Sequence, residues 1–247
     1  MRRIFAALVL VLCSSAAAKA GEGVYLTIEG GYGSYDTDDF RARLDRQHLG
    51  NDPVTGISNT SLLIDHQMPS GGTFGLRLGY NIAGYVAFEG NIVVRPYDLF
   101  KDTRGGAGIA GLTARWFPLQ GFLRPGRPFD ISLNAGMDYV LSGGNGVDGP
   151  ITGAAPGTTA ATSTKLANTG RGFDGVAVEL GATAELYLTK GISIGVTPRM
   201  YIIDPIRYFT DFDNRNSGGA IPLGGSGNIK FYSVTLALSF HFAPAPD

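Results

Sequence analysis

From residue 24 onward, apolar residues alternate with polar or small residues in eight short segments, which glycine-rich or polar spacers separate. A period of two places successive side chains on opposite faces of a β-strand. The pattern therefore predicts eight strands and no long helix, with one or two helical turns over 39–45 inside a loop. The predicted strands are 24–35, 73–80, 85–94, 107–117, 129–140, 175–188, 192–202 and 230–242.

The two faces of these strands differ in charge. One face carries no charged residue in any of the eight strands; it takes even-numbered positions, except in the fifth strand, where it takes odd ones. The opposite face holds small polar residues and glycines. It also holds the charged candidates for a barrel interior, namely Glu29, Arg77, Glu89, Arg115, Asp130, Asp138, Glu179, Glu185 and Arg199.

This division of the faces favours a membrane-spanning barrel. A soluble sandwich turns its apolar face inward and its charged face to water, whereas a membrane barrel turns an apolar band to lipid and a polar face inward. The strand lengths suit a tilted membrane strand of about 9–11 residues. Residues 21–242 are therefore predicted to form an eight-stranded antiparallel up-and-down transmembrane β-barrel. A soluble secreted barrel with an apolar core is the alternative.

The links between the strands alternate in length, which indicates how the barrel is oriented. Long links such as 36–72, 141–174 and 203–229 alternate with short ones such as 81–84 and 189–191. Long external loops and short periplasmic turns are typical of outer-membrane barrels. The segment 143–170 consists mostly of Gly, Ala, Thr, Ser, Asn and Pro, and is predicted to be mobile.

The short links also predict which interior charges meet. The turn 189–191 places Leu188 opposite Ile192, and Glu179 then lies diagonal to Arg199. If Trp116 pairs with Phe129, Arg115 faces Asp130. Arg77 is placed opposite Glu89, because an unpaired buried charge costs several kcal/mol.

The first twenty residues are predicted to be a signal peptide that is removed. Arg2 and Arg3 precede an apolar run over 4–13, and small residues at 18 and 20 suit signal peptidase. The ten-residue apolar run is shorter than the roughly 20 residues of a membrane-spanning helix. A lipid anchor on Cys13 is disfavoured, because Leu12 precedes the cysteine where a lipobox has a small residue. The segment thus predicts export, and with the barrel it predicts the outer membrane of a Gram-negative cell.

Composition narrows the function classes further. Glycine accounts for 37 of 247 residues, about twice its usual share of roughly 7%. Removing 1–20 takes away three of the 20 basic residues and none of the 21 acidic ones, so the net charge becomes 17 − 21 = −4. This charge gives no reason to expect a nucleic-acid partner. The remaining chain has no cysteine, since the single one is Cys13.

Two stretches carry a resemblance to a known family. Residues 75–81 (GLRLGYN), followed by 86–91 (VAFEGN), resemble a hairpin of the small OmpA/OmpX-like outer-membrane barrels. Residues 238–242 (LSFHF) resemble the aromatic-ended assembly signal of such proteins. The resemblance implies outer-membrane lipid as the surroundings, the barrel-assembly machinery as a partner and a monomeric state. Two features depart from it: a Pro-rich tail over 243–247, and Pro198 within a strand, which predicts a bulge.

The sequence offers no convincing chemical site. His48 and His66 fall in the first long link and His241 at the end of the last strand, and their spacing does not bring a serine and an acid to one histidine. No catalytic residue, cofactor site or metal site is predicted. The acidic loop residues match no calcium-loop pattern and are interpreted as solvated charge; they are Asp36, Asp38, Asp39, Asp211 and Asp213.

The sequence therefore favours a structural or surface-interaction role through long extracellular loops. The alternatives are a narrow channel, a lipid-modifying outer-membrane enzyme and the soluble ligand-binding barrel. The channel is disfavoured because the lumen of an eight-stranded barrel is just wide enough for side chains.

Overall fold

The computed structural model describes seven stretches of the chain: residues 23–47, 70–82, 85–96, 105–119, 128–144, 171–209 and 220–242. Several sequence predictions lie outside these residues. They are the signal peptide 1–20, most of the segment 143–170, the tail 243–247, the two loop histidines, and the acids at 211 and 213.

The described residues form nine strands and one helix, and each of the eight predicted strands is confirmed, with bounds that differ by up to seven residues. Strands β5 to β7 run further toward the long links than the sequence predicts. The elements are β1 (Gly23–Asp36), α1 (Asp38–Gln47), β2 (Gly71–Ile82), β3 (Val86–Pro96), β4 (Gly105–Trp116), β5 (Phe129–Gly144), β6 (Arg171–Tyr187), β7 (Ile192–Phe209), β8 (Ala220–Pro222) and β9 (Ile229–Phe242).

Eight of the strands close into a barrel, as predicted. Each of β1 to β7 pairs antiparallel with its neighbour in the chain, and β9 joins β1 to β7. The ninth strand, β8, is short and pairs only with the loop-side end of β7. Closure leaves no sheet edge in the barrel wall, so backbone groups along the wall find partners without water.

The strands are strongly staggered. A path along the hydrogen-bonded partners starts at Tyr25, crosses Gly79, Glu89, Thr113, Gly136, Glu179, Tyr201 and Phe231, and returns to β1 at Tyr35. The offset of 35 − 25 = 10 residues is the shear of the barrel. A barrel with this shear has tilted strands. The ends of two strands that a short link joins can therefore lie at different heights along the barrel axis.

Apolar side chains cover the outside of the barrel. Leu112, Met137 and Leu236 are 73%, 72% and 69% exposed, and they belong to a belt that includes Leu78, Phe88, Ile92 and Val234. A water-soluble protein rarely exposes so large a contiguous apolar surface. The belt has the composition of a lipid-facing surface.

The interior consists of two layers. The layer near the chain termini is charged and hydrogen-bonded. The layer near the long links is mostly apolar, and its strand residues are Val93, Ile109, Val140, Phe173, Ala177, Tyr201, Ile203, Ile229 and Phe231. The buried Arg95 guanidinium lies 5.0 Å from the Phe231 ring in this layer. The expectation of a polar inward face is therefore wrong for this half, although most of these residues lie at inward positions of the predicted strands.

Helix α1 covers the mouth of the barrel at the apolar layer. Its Phe40 side chain is fully buried in the same cluster. The sequence placed a shorter helix here, and the observed helix begins after Asp36 and Thr37, with Asp38 and Asp39 in its first turn. No helix among the described residues combines the length and apolar character needed to span a bilayer.

One local prediction about the wall is wrong. Pro198 pairs with Val234 of β9 without any shift of register, and the irregularity lies instead between Asp174 and Gly175. The ladder with β6 lacks the pairs at Thr197 and Pro198 but keeps the same register on either side, so the proline interrupts the ladder and inserts no residue.

Candidate functional site in the barrel interior

All nine charged residues singled out from the sequence lie inside the barrel, and none is more than 6% exposed. They come from seven of the eight barrel strands, so the cluster exists only when the barrel is closed. The residues are Glu29, Arg77, Glu89, Arg115, Asp130, Asp138, Glu179, Glu185 and Arg199.

Arg77 is the centre of the cluster. Its Nε lies 3.2 Å from Glu29 Oε1, its Nη1 lies 3.3 Å from Glu89 Oε2, and its Nη2 lies 3.2 Å from Glu179. Nη2 also donates to the Tyr201 hydroxyl at 3.2 Å. The planar guanidinium has five N–H donors in a fixed fork, and here the fork joins three strands across the lumen.

Arg199 repeats two of these contacts from the other side. Its Nη1 lies 2.7 Å from Glu29 Oε2, and its Nε lies 3.1 Å from Glu179 Oε1. Glu29 and Glu179 are thus each shared between Arg77 and Arg199. The predicted diagonal relationship of Glu179 and Arg199 is observed, with Glu179 opposite Tyr201.

Arg115 extends the network toward the chain termini. It lies 3.0 Å from Glu89 Oε1 and 3.2 Å from Glu185 Oε2. The Tyr25 hydroxyl donates to Glu89 Oε1 at 2.6 Å, and its ring lies beneath the Arg115 guanidinium at 5.7 Å. Because each glutamate accepts from more than one donor, the buried charges are compensated by hydrogen bonds as well as by opposite charge.

The predicted pairing of Arg115 with Asp130 is wrong. Trp116 pairs with Leu133, not with Phe129, so Arg115 lies opposite Asn134 and Asp130 lies opposite Glu185 of β6. The four-residue difference follows from the stagger, because β5 begins well below the end of β4 and its first residues pair only with β6. The Asp130 carboxylate accepts the Ile131 backbone N–H at 2.8 Å.

The predicted opposition of Arg77 and Glu89 is also wrong, although their ion pair forms. Arg77 lies opposite Asn91, and Glu89 lies opposite Gly79. The long arginine side chain spans the two-residue offset.

Glycines make room for these side chains. A Cβ atom on Gly79 would overlap the Tyr25 ring, and one on Gly111 would overlap Met137 O and the Asp138 carboxylate. Gly111 therefore lets Asp138 Oδ1 approach Asn91 Nδ2, which donates to it at 2.9 Å. This crowding gives a physical reason for part of the high glycine content.

A serine, a histidine and an acid meet near the chain termini, which the sequence spacing did not indicate. Ser193 Oγ lies 2.8 Å from His241 Nε2 and donates to Glu185 Oε1, and His241 Nε2 lies 3.4 Å from that same oxygen. In a catalytic triad the histidine uses one ring nitrogen for the serine and the other for the acid. Here both groups meet one nitrogen, and Ser193 is fully buried, so the arrangement is that of a structural hydrogen-bond cluster.

The alternation of inward-facing positions could have indicated part of this cluster, namely that Ser193 and Glu185 lie on the same face. The turn 189–191 sets Tyr187 opposite Ser193, which places Glu185 two residues away on the same face. The missing information was the pairing of β9 with β7, which brings His241 in. Among the described residues, no three His, Cys, Asp or Glu side chains are grouped as they would be around a metal ion.

Comparison with solved structures returns small outer-membrane proteins at low sequence identity. Neisserial surface protein A matches at 11% identity with a TM-score of 0.49, over 90% of this chain and 98% of that one. OprG from Pseudomonas aeruginosa matches at 13% with a TM-score of 0.46, over 90% and 97%. The Ail protein of Yersinia pestis matches at 10% with a TM-score of 0.40, over 89% and 98%. Comparison with curated proteins returns no match.

The family comparison covers nearly the whole sequence. Residues 4–242 match the model of the outer membrane protein beta-barrel domain. The matched range contains every strand of the closed barrel, and the family resemblance read from the sequence is confirmed. The chain therefore belongs to the outer membrane protein beta-barrel domain family.

Proposed function

We propose that the protein is a non-enzymatic outer-membrane barrel of a Gram-negative cell, whose closed interior is a scaffold and whose role is carried by its long loops at the cell surface. The observation that carries the proposal is the Arg77 cluster. Its ion pairs cross the lumen from Glu29 on β1 to Glu179 on β6. A barrel filled in this way has little room for transport, which leaves the loops as the part free to interact.

The strand ends support the orientation. The links 37–70, 145–170 and 210–228 leave one end of the barrel, while 83–85 and 188–191 join strands at the other end, where β1 begins and β9 ends. In outer-membrane barrels the long loops face outward and the short turns face the periplasm. The apolar belt supports a lipid-embedded monomer, because its exposed side chains surround the barrel.

The proposal includes the maturation of the chain. Residues 1–20 are removed on export as a signal peptide, and the barrel-assembly machinery inserts residues 21–242, with 243–247 left as a short tail. The aromatic end of β9, with Phe240 and Phe242, supports the assembly step.

Cysteine labelling on intact cells tests the orientation. The processed chain has no cysteine, so Ala155→Cys in a long loop and Lys190→Cys in a short turn each create one thiol. A membrane-impermeant maleimide is expected to label Ala155→Cys on intact cells and Lys190→Cys only after lysis. The reverse pattern, or recovery of the protein in the soluble periplasmic fraction, would overturn the proposal.

Two further measurements separate the alternatives. The refolded protein in a planar bilayer is expected to show no stable open level, and a reproducible one would favour the narrow channel. The mass spectrum of lipid A is expected to be the same with and without the protein. A shift by an acyl chain would favour a lipid-modifying enzyme, with the cluster of Ser193, His241 and Glu185 as its first candidate.

A further inference from the structure

The mouth of the barrel is closed by a side chain from outside the wall. Phe40 belongs to α1, which lies in the first long link, yet its ring is fully buried among strand residues. The ring lies 6.0 Å from that of Phe173. The apolar layer is therefore completed by a loop element and not by the strands themselves.

A single arginine fastens this helix to the other side of the mouth. Arg43 lies one turn after Phe40 and is also buried. Its Nε donates to Gly224 O at 2.9 Å, its Nη2 to Leu223 O at 2.8 Å, and its Nη1 to Gly227 O at 3.2 Å. One side chain thus satisfies three backbone carbonyls of the segment that precedes β9.

The fourth contact of Arg43 reaches the barrel wall and is open to solvent. Its Nη1 lies 2.7 Å from Asp204 Oδ1, and the Asp204 side chain is 56% exposed. Exposed ion pairs are screened by salt and contribute little to stability. Two further polar ties of α1, from Arg46 to Ser226 O and from Lys230 to Asp39, are also exposed.

Few buried side chains hold α1 against the barrel. Phe40 and Arg43 are the buried ones among its described side chains. A ten-residue helix is marginal by itself in water, and segments with few buried contacts open at free energies well below that of global unfolding. The charged cluster meets the apolar layer at Tyr201, whose hydroxyl accepts from Arg77 and whose ring stacks on Phe231. Both of these aromatic residues belong to barrel strands, so this contact can stay in place when α1 moves.

We propose that α1 is a plug that can move away from the mouth of the barrel. Phe40 fills the apolar layer, and Arg43, which we call the latch, holds the helix against the segment before β9. When the latch is released, the apolar layer becomes a chamber that is open at the loop end and closed by the Arg77 cluster beneath. The plug does not depend on what the surface loops bind.

Thiol accessibility in the chamber tests the plug. Val140 is fully buried in the apolar layer, and Val140→Cys gives the processed chain its one thiol. A small charged methanethiosulfonate is applied to the protein refolded in lipid vesicles, and the labelling rate is compared between latch variants. Arg43→Ala is expected to raise the rate at least tenfold. Ala42→Ser, at an exposed position of the same helix, is the control and is expected to leave the rate unchanged.

Two results would overturn the proposal: equal rates for Arg43→Ala and Ala42→Ser, or a rate with Arg43 intact that matches the rate of the unfolded chain. If Arg43→Ala does not refold, as judged by the loss of its heat-modifiable gel shift, Arg43→Lys decides. Lysine keeps the charge near Asp204 but cannot donate to the three carbonyl oxygens in the same way, and a rate between those of the control and Phe40→Ala is expected. No change from the control would overturn the latch. No variant is expected to conduct ions in a planar bilayer, because the Arg77 cluster still closes the lumen.

Discussion

Arg77 and Glu89 form an ion pair of 3.3 Å inside the barrel although they are two positions out of register, with Asn91 and Gly79 as their respective partners across the ladder. The offset lets one guanidinium reach Glu29 and Glu179 as well. A directly opposed pair would be local to two strands, whereas this arrangement ties β1, β2, β3 and β6 together. The interior thus depends on Arg77 more than on any one glutamate.

Replacing Arg77 should destabilise the barrel strongly. Arg77→Met keeps much of the side-chain volume but leaves three buried glutamates short of a partner, and breaking even one buried pair costs about 3–5 kcal/mol. Urea unfolding of the refolded protein in lipid measures the loss. Lys230→Met is the control: Lys230 pairs with Asp39 at 3.0 Å, and the two side chains are 36% and 60% exposed, so little loss is expected. Equal losses in the two variants would contradict the central role of Arg77.

Double-mutant cycles should distinguish the partners of Arg115. The contact with Glu185 predicts that Arg115→Met and Glu185→Gln together cost less than the sum of the single changes, with a coupling of about 0.5–3 kcal/mol. The register places Asp130 away from Arg115 along the ladder, so the cycle with Asp130→Asn should be closer to additive. A larger coupling energy for Arg115 with Asp130 than with Glu185 would support the Arg115–Asp130 pair that the sequence predicts.

The inward glycines should not tolerate a methyl group. Gly111→Ala would press a Cβ against Met137 O and the Asp138 carboxylate, and overpacking of this kind costs about 1–3 kcal/mol. Gly90 is the matched control, because it faces outward in the neighbouring strand and a Cβ atom at that position would have no neighbour within 4 Å. Gly90→Ala should be neutral or mildly stabilising. Comparable urea midpoints for the two variants would show that crowding does not explain Gly111.

The Tyr25 hydroxyl should contribute measurably to the free energy of unfolding. Tyr25→Phe keeps the ring under Arg115 but removes the 2.6 Å donor to Glu89, and a hydrogen bond to a charged group is worth about 1.5–3 kcal/mol. Tyr80→Phe is the control, since Tyr80 is outward and half exposed, and it should change the unfolding free energy little. If both phenylalanine variants unfold alike, the hydroxyl is not needed by the cluster.

The alternation of apolar and polar residues predicted the strands and their two faces, because each strand of a membrane barrel has lipid on one side and the protein interior on the other. Glu29, Arg77 and Arg199 could be assigned to the interior from parity alone. Their partners could not, because register depends on the shear of the whole barrel, and the Arg115 pairing failed for that reason. The apolar layer escaped notice because Val93, Ile109 and Val140 share the inward parity of the charged residues, and period-two patterning carries no information about depth. Phe40 reaches the layer from a loop, outside any strand pattern.

A charged residue in the lipid-facing belt should lower the free energy of unfolding more near the middle of the bilayer than near its surface. Leu112 lies midway along β4, between Gly90 and Met137, and is 73% exposed. An arginine at the middle of a bilayer costs about 2–4 kcal/mol, and the cost falls to about 0–1 kcal/mol near the interface. Leu112→Arg should therefore lower the unfolding free energy in lipid vesicles by the larger amount. Val94→Arg, on the same outward face but toward the loop end of β3, should lower it by the smaller amount. In a water-soluble barrel, both substitutions would sit on a wetted surface and cost little, so equal and small losses in vesicles would mean that this belt does not contact lipid.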